Sequence, residues 1–481
     1  MRSRKEQLQA YQFLRRRIGA ALLSGEPDTL DPPMRRVIRT SFAGFMVGAI
    51  IIAAFALYGV FRPGGATGWK DDRGSLVVEK DTGAAYVYMQ GNLHPMLNYA
   101  SARLYLGQPD AEPRRVSSQS LRGTPRAEAR GIPNAPHSLP DPKRGLVTEP
   151  WTVCAQPMTP DASTVTLLAG SSPPGGSLAP DEGLVVTGGG QTYLVWRNAR
   201  YLVPDPGVLV PIGLNPDDRQ EVGEAWLNAL PEGPELVFPS IPQLGQPGPS
   251  LPNGQTTVGE IYFVDFGDRQ EYFLVMPDGL AQISKIAADI ISSDPDVAAV
   301  LGGGVDASPL GRDDLTQAPR TRPPGNLDRY PTTTVKAANL DRSRRGVLCV
   351  SLSNTTEANA VPTVSAVSRA PEQGETVERP PGSVAPTANN FFVEPGQGAV
   401  VGAVPHPNVR TNAFFLITDR GLKFPIANDD SLEALGYGDS DIARLPTGFL
   451  EMLPTGPTLS RQAASQMATG SSSPEQAPQT P

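Results

Sequence analysis

Residues 41–61, SFAGFMVGAIIIAAFALYGVF, run for 21 positions without a charge or a proline. At about 1.5 Å per residue a helix of that length covers roughly 30 Å, the thickness of a bilayer's hydrocarbon core. In lipid a single segment pairs all its own backbone groups only as a helix. Arg35, Arg36 and Arg39 bound the run on one side, and Arg62 with Pro63, Gly64 and Gly65 on the other. A secretory signal has a shorter apolar region nearer the N-terminus. A buried core helix normally carries a polar stripe, which this segment lacks. The stretch therefore predicts an uncleaved membrane anchor, with cleavage after Gly64–Gly68 and a buried core helix as the competing readings.

Charge predicts the orientation. Residues 1–40 hold nine Arg or Lys against four Asp or Glu, a balance of +5, while the whole chain is −8. Basic residues beside a membrane helix stay in the cytoplasm. Arg35, Arg36 and Arg39 thus predict a cytoplasmic tail in a plasma-membrane protein, with residues 62–481 outside and acidic at −13. An acidic exterior argues against nucleic acid as a partner.

The tail itself reads as an amphipathic helix over 4–23. Leu8, Tyr11, Leu14, Ile18 and Leu22 recur at three- and four-residue steps, with Arg15, Arg16 and Arg17 around them. Such a helix lies on anionic lipid or docks on a protein. The bulk of Tyr11 and Phe13 favours protein docking, so Leu8, Tyr11, Phe13, Leu14, Ile18 and Leu22 are the candidate partner-facing residues.

The exterior part carries an internal repeat. Residues 193–204 (YLVWRNARYLVP) and 414–425 (FFLITDRGLKFP) share an aromatic start, an apolar run, a polar turn and a second apolar run ending in proline. Downstream, 227–236 (LNALPEGPEL) and 450–459 (LEMLPTGPTL) share Leu-x-x-Leu-Pro-x-Gly-Pro-x-Leu. Weaker copies of the first motif lie at 84–95 and 272–283. Each copy predicts a β-hairpin followed by a helix, and a lone hairpin must pack on something to be stable. Four small α+β repeats follow, at 62–107, 184–240, 255–300 and 403–459. The Pro- and charge-rich stretches 108–150, 302–346 and 355–390 read as long surface loops around strands at 151–154, 184–187, 346–352 and 391–401. Residues 460–481 read as a disordered tail.

Two cysteines, Cys154 and Cys349, are predicted to lie outside the cytosol, where oxidation favours pairing them; two free buried thiols are the alternative. Nothing else in the sequence resembles an active site. No Gly-Lys dipeptide exists to build a phosphate-binding loop, and no Gly-x-Ser-x-Gly elbow is present. The glycine runs 188–190 and 302–304 read as turns. His94, His137 and His406 are scattered, and the prolines beside His94 and His406 suggest surface positions. The acidic pairs at 71–72, 217–218, 313–314 and 429–430 sit in turn-like contexts, with calcium binding the lesser reading. No catalytic, metal or cofactor residue is identified.

QAYQFLRRRIGAALL (9–23), DPPMRR (31–36), WTVCAQ (151–156), GVLCVSL (346–352) and FFVEPGQGAVV (391–401) together make the chain resemble EccB, a membrane component of actinobacterial type VII (ESX) secretion systems. The resemblance covers residue 5 to about 460. It implies one transmembrane helix and an elongated periplasmic part of four repeats around a central β-rich core, which takes in 108–183 and 301–402 and holds one disulfide. It also implies a structural role in the secretion complex beside an EccC-type motor ATPase, EccD, EccE and a mycosin protease, with the N-terminal helix contacting other membrane subunits. ATP hydrolysis is ascribed to some members, and a cell-wall-binding module is a further alternative.

Overall fold

A computed structural model describes residues 4–25, 34–61, 68–71, 74–159, 161–252, 254–338, 346–355, 360–367, 371, 374–378, 386–405 and 413–468. Two helices lead. α1 covers Arg4–Ser24 and α2 covers Met34–Phe61. Pro32 and Pro33 come just before α2 in the sequence. The helix is longer than the uncharged run and includes Arg35, Arg36 and Arg39 in its first turns. Helical propensity, unlike membrane solubility, does not stop at an arginine.

Among the described residues beyond 68 the chain makes four short sheets, one central sheet and a two-stranded hairpin, Pro247–Leu251 with Gly254–Thr257. In the first, Ser75–Glu79, Ala85–Met89 and Asn92–Met96 form an antiparallel meander, and Arg114–Val116 returns parallel to the first strand. The second uses Glu182–Gly188, Gln191–Trp196, Ala199–Leu202 and Gln220–Glu221 in the same order. Ile261–Asp265, Gln270–Met276, Gly279–Ile283 and Ser308–Pro309 build the third. Ala399–Val404, Phe414–Ile417, Lys423–Ile426 and Ile442–Pro446 build the fourth. A short helix follows the third strand in every case. Asn98, Asp205, Ser284 and Asn428 cap these helices, their side-chain oxygens accepting backbone N–H groups that would otherwise be orphaned.

A second short helix follows each returning strand and leads into a proline whose carbonyl accepts a hydrogen bond from the third strand. The pairs are Leu93 N to Pro125 O at 2.8 Å, Arg200 N to Pro231 O at 2.9 Å, Leu280 N to Pro319 O at 2.8 Å and Lys423 N to Pro454 O at 3.0 Å. The residue after each proline then pairs parallel with that strand. A leucine stands four positions before each of these prolines: Leu121, Leu227, Leu315 and Leu450. The first and third sheets thus carry reduced versions, LRGTPR and LTQAPR, of the motif spelled out in the second and fourth.

The glycine of Gly-Pro in the two full motifs has a steric cause. A Cβ on Gly233 would strike the Tyr201 ring, and one on Gly456 the Phe424 ring. Gly456→Ala is expected to lower stability by about 1–3 kcal/mol in urea unfolding. Gly176→Ala, in an edge strand with nothing within 4 Å of the added carbon, is the near-neutral control.

In the central sheet Trp151–Thr159 and Ala162–Ala169 form a hairpin, and Val347–Leu352 and Pro362–Val367 lie antiparallel beside it. Gly175–Ser177 and the pair Asn390–Phe392 and Glu375–Thr376 finish its two edges. Alternation along Trp151–Thr159 sends Trp151, Val153 and Ala155 into a core shared with the second and fourth sheets. Cys154 faces the other side with Cys349, Leu168, Val347 and Val367. A further core joins the second and third sheets, and another joins the first and fourth. The packing order is therefore first, fourth, central, second, third.

Several predicted boundaries move. Residues 108–131 and 302–321, read as loops, supply the returning strands, short helices and proline segments of the first and third sheets. Within 355–390, Pro362–Val367 belongs to the central sheet. The predicted core strand 391–401 divides between the central and fourth sheets. Pro- and Arg-rich composition hides strands that pair along only two or three residues, because such strands have no room for an alternating pattern. The predicted tail also starts late. Ser460 caps a helix over Arg461–Ser465, Ala464 is fully buried, and residues 466–468 run beside 129–131. Residues 469–481 lie outside the described part.

Candidate functional site

The sequence directs attention to three places: the N-terminal helix, the membrane helix and the cysteine pair. On α1, Leu8, Tyr11, Leu14, Ile18 and Leu22 are all more than half exposed. At about 100° per residue they share one side of the helix. Phe13 falls on the opposite side, with the Arg17 guanidinium 5.9 Å from its ring. The stripe is thus an apolar face of five residues left exposed by the described part of its own chain.

On α2, Val37–Tyr58 has a mean hydropathy of 2.1 and no part of it is buried within the protein. Phe42, Phe45, Ile50, Ile52 and Phe55 are widely exposed. Exposed apolar surface on that scale suits lipid and not water. Arg39 is also exposed, two positions past Val37 at the start of the apolar segment.

Cys154 and Cys349 form a disulfide, with Cα atoms 4.1 Å apart. They stand directly opposite one another on neighbouring strands of the central sheet. The bond joins positions 195 residues apart, and the second and third sheets lie within that span. Both cysteines are buried.

The remaining candidates find structural roles. Gly189 and Gly190 form a left-handed turn between strands, and the Glu224 carboxylate lies 3.6 Å from where a Cβ on Gly189 would stand. A carboxylate there repels phosphate. Gly302 ends the helix Pro295–Leu301 in the left-handed conformation. Asp217, Asp313, Asp314, Asp429 and Asp430 occupy the first turns of short helices, where a negative charge complements the helix dipole. Asp430 also pairs with Arg461 at 3.0 Å.

Contrary to a surface position, His94 is half-buried on the strand Asn92–Met96, its ring centroid 5.4 Å from that of Tyr105. Burial, with Arg130 nearby, holds its pKa below the usual histidine value. His137 is exposed, and His406 lies outside the described residues. Among the described residues no three His, Cys, Asp or Glu side chains converge. A cavity of about 690 Å³ in the first sheet's region is lined by Asp71, Asp110 and Glu112 against Arg114. Another, of about 280 Å³, lies between the second and central sheets, with Arg219 beside Asp218 and Glu221. Neither gathers the cationic groups that a nucleotide triphosphate requires.

An exposed apolar N-terminal helix, a helix fit to cross a membrane and a disulfide-stapled α+β body define a membrane-anchored protein with an unpartnered face at its N-terminus. The chain belongs to the EccB family: residues 2–471 match the family described as "Type VII secretion system ESX-1, transport TM domain B". It is 28% identical over 498 residues to the ESX-3 secretion system ATPase EccB3 of Mycobacterium tuberculosis, covering 96% of this chain and 88% of the relative. To the ESX-1 secretion system ATPase EccB1 of Mycolicibacterium smegmatis it is 26% identical over 482 residues, covering 96% and 94%. Its fold matches a chain of an intact ESX-5 inner membrane complex with TM-score 0.62 at 25% identity, over 98% of this chain and 96% of that one. It also matches the EccB3 dimer of an ESX-3 core complex with TM-score 0.61 at 26% identity, over 81% and 99%.

Proposed function

We propose that this chain is the membrane-anchored EccB subunit of a type VII secretion inner-membrane complex, and that its contribution is structural. The carrying observation is the match along almost its whole length, membrane helix included, to a chain of an intact ESX-5 inner membrane complex. A second copy of itself is one partner, as in the EccB3 dimer. The others are an EccC-type motor ATPase, EccD, EccE and a mycosin protease. Arg35, Arg36 and Arg39 keep the N-terminus in the cytoplasm. The body beyond residue 68 then stands on the periplasmic side, where a disulfide persists.

The four short sheets are four copies of one unit. Their common strand order and their four equivalent proline carbonyls support that reading. Repeated units that each share a core with a neighbour suit a rigid spacer. The relatives carry ATPase in their names, but neither described cavity offers a phosphate cradle, and no three His, Cys, Asp or Glu side chains converge among the described residues. Scaffolding accounts for the features present.

Mild-detergent extraction followed by affinity capture tests this. The full chain is expected to bring down a large assembly containing a motor ATPase. A chain lacking residues 1–30, or carrying Leu8→Asp, Tyr11→Asp and Ile18→Asp, is expected to lose it while the body stays folded. A full chain that runs alone ends the secretion-subunit reading.

A further inference from the structure

The first sheet has two faces with different surroundings. On one, Ala100 and Leu104 of the helix Tyr99–Leu106 join the core shared with the fourth sheet. The other holds a small cluster of Trp69, Val77, Tyr86, Leu93, Val116 and Leu121, and faces away from that junction. Its rim is basic. The Lys70 ammonium lies 5.3 Å from the centre of the buried Trp69 ring, and the Arg126 guanidinium 5.6 Å from that of Tyr86. Arg122, next to Leu121, is exposed, as are Lys70 and Arg126. Of the acidic groups nearby, Asp71 and Glu128 neighbour Lys70 and Arg126 in sequence, and two others accept hydroxyl hydrogen bonds. Thr82 Oγ1 donates to Glu79 Oε2 at 2.6 Å, and Ser118 Oγ donates to Asp81 Oδ2 at 2.5 Å.

Charge sets this region apart from the rest of the exterior. Residues 62–131 carry ten Lys or Arg against seven Asp or Glu, a balance of +3, whereas residues 132–481 stand at −16. The hydrogen-bond register makes positions 122 and 126 equivalent to Asn228 and Glu232, Thr316 and Arg320, and Glu451 and Thr455 in the other sheets. Only the first sheet has a base at both.

This face is also held near the membrane. Six residues, and so seven Cα–Cα steps, separate Phe61, the end of α2, from Gly68, whose carbonyl accepts a 2.6 Å hydrogen bond from Arg114 Nη1. A fully extended chain of that length reaches at most about 25 Å. The chain therefore enters the body beside Trp69 and Lys70, within reach of the lipid headgroups.

We propose that the basic face formed by Lys70, Arg122 and Arg126 docks on the anionic lipid headgroups around the protein's own membrane helix. Its layout suits an interface, with aromatic rings beneath cations whose charged heads reach outward. Contact within a Debye length, about 8 Å at physiological salt, makes the attraction sensitive to salt. The docking fixes the tilt of the body relative to the bilayer, which a six-residue tether alone leaves free. It holds for whichever leaflet the body faces.

The test places the full chain in nanodiscs of phosphatidylcholine alone or with one-third phosphatidylglycerol and follows amide hydrogen exchange. Exchange over residues 118–126 is expected to slow several-fold in the anionic discs only. Molar salt reverses the effect, and Arg122→Gln with Arg126→Gln weakens docking about fivefold per charge removed. Amides of Val347–Leu352 report that the variant remains folded. Equal exchange in both lipids overturns the proposal, on the native sequence alone. So does slowing that needs the other complex subunits and ignores lipid charge, since a protein partner then covers the face.

Discussion

Replacing Cys154 and Cys349 together by serine is expected to lower the stability of the body by about 4–5 kcal/mol. The strands that carry the two cysteines are neighbours in the folded state, so losing the bond removes little native contact. The effect lies in the unfolded chain, where a link across 195 residues excludes most extended conformations. Urea unfolding of the full chain in detergent, followed by tryptophan fluorescence with and without reductant, checks this. Reduced native protein and the double-serine variant should unfold at the same, lower midpoint. A shift below about 1 kcal/mol would mean that the unfolded chain keeps those strands together without the bond.

Trp226→Ala should cost nearly as much by a different route. Trp226 is fully buried in the core shared by the second, central and fourth sheets, and its Nε1 donates a 2.9 Å hydrogen bond to Leu348 O. Truncation leaves a cavity worth about 3–5 kcal/mol. It also leaves a buried carbonyl without its donor, at about 1–3 kcal/mol. Trp226→Phe separates the two contributions, because it keeps most of the volume and loses only the donor. The expected order of urea midpoints is native, then Phe, then Ala. Equal midpoints for Phe and native protein would show the carbonyl to be satisfied some other way. Trp226 bonds the residue before Cys349, so its effect and that of the disulfide should not add simply.

The sequence made some features plain for reasons that the fold explains. Val37–Tyr58 must be apolar all round to meet lipid, and no other part of the chain shares that pattern. The full Leu-x-x-Leu-Pro-x-Gly-Pro-x-Leu motif is spelled out where the second and fourth sheets press on the central one. There Leu230 and Leu453 enter the common core, Trp226 and Phe449 precede the first leucine, and aromatic rings on the third strand require Gly233 and Gly456. In the first and third sheets the same positions lie farther from the centre. Thr124 and Ala318 replace the second leucine, and with His94 and Ala281 on the third strand, Ala127 and Thr321 replace the glycine. Only the leucine and the proline persist, too few letters to stand out.

Other features had no local signal. Arg103 is buried, and its guanidinium donates to the carbonyls of Ala111 at 2.6 Å, Pro109 at 2.8 Å and Leu435 at 3.2 Å, joining the first sheet to the fourth. Nothing in YASARLYL distinguishes this arginine from a solvated one, because its role depends on a residue 332 positions away. The helix at Arg461–Ser465 was hidden in the same way. Its own residues are polar and small, and it is held by Asp430 and by the surface of the helix Tyr99–Leu106.

The placing of the central sheet has a consequence for how the protein is made. Trp151–Thr159 leaves the ribosome long before Val347–Leu352, the strand that must lie beside it. At about 5–20 residues per second, a gap of 195 residues delays their meeting by roughly 10–40 s. During that interval Cys154 is a thiol on an unpaired strand edge, while the second and third sheets have their complete sequence and can already fold. Those two sheets can thus form before the later strand lies beside the earlier one. Oxidation of the cysteine pair waits for Val347–Leu352, after the second and third sheets have their sequence and before the fourth has its own.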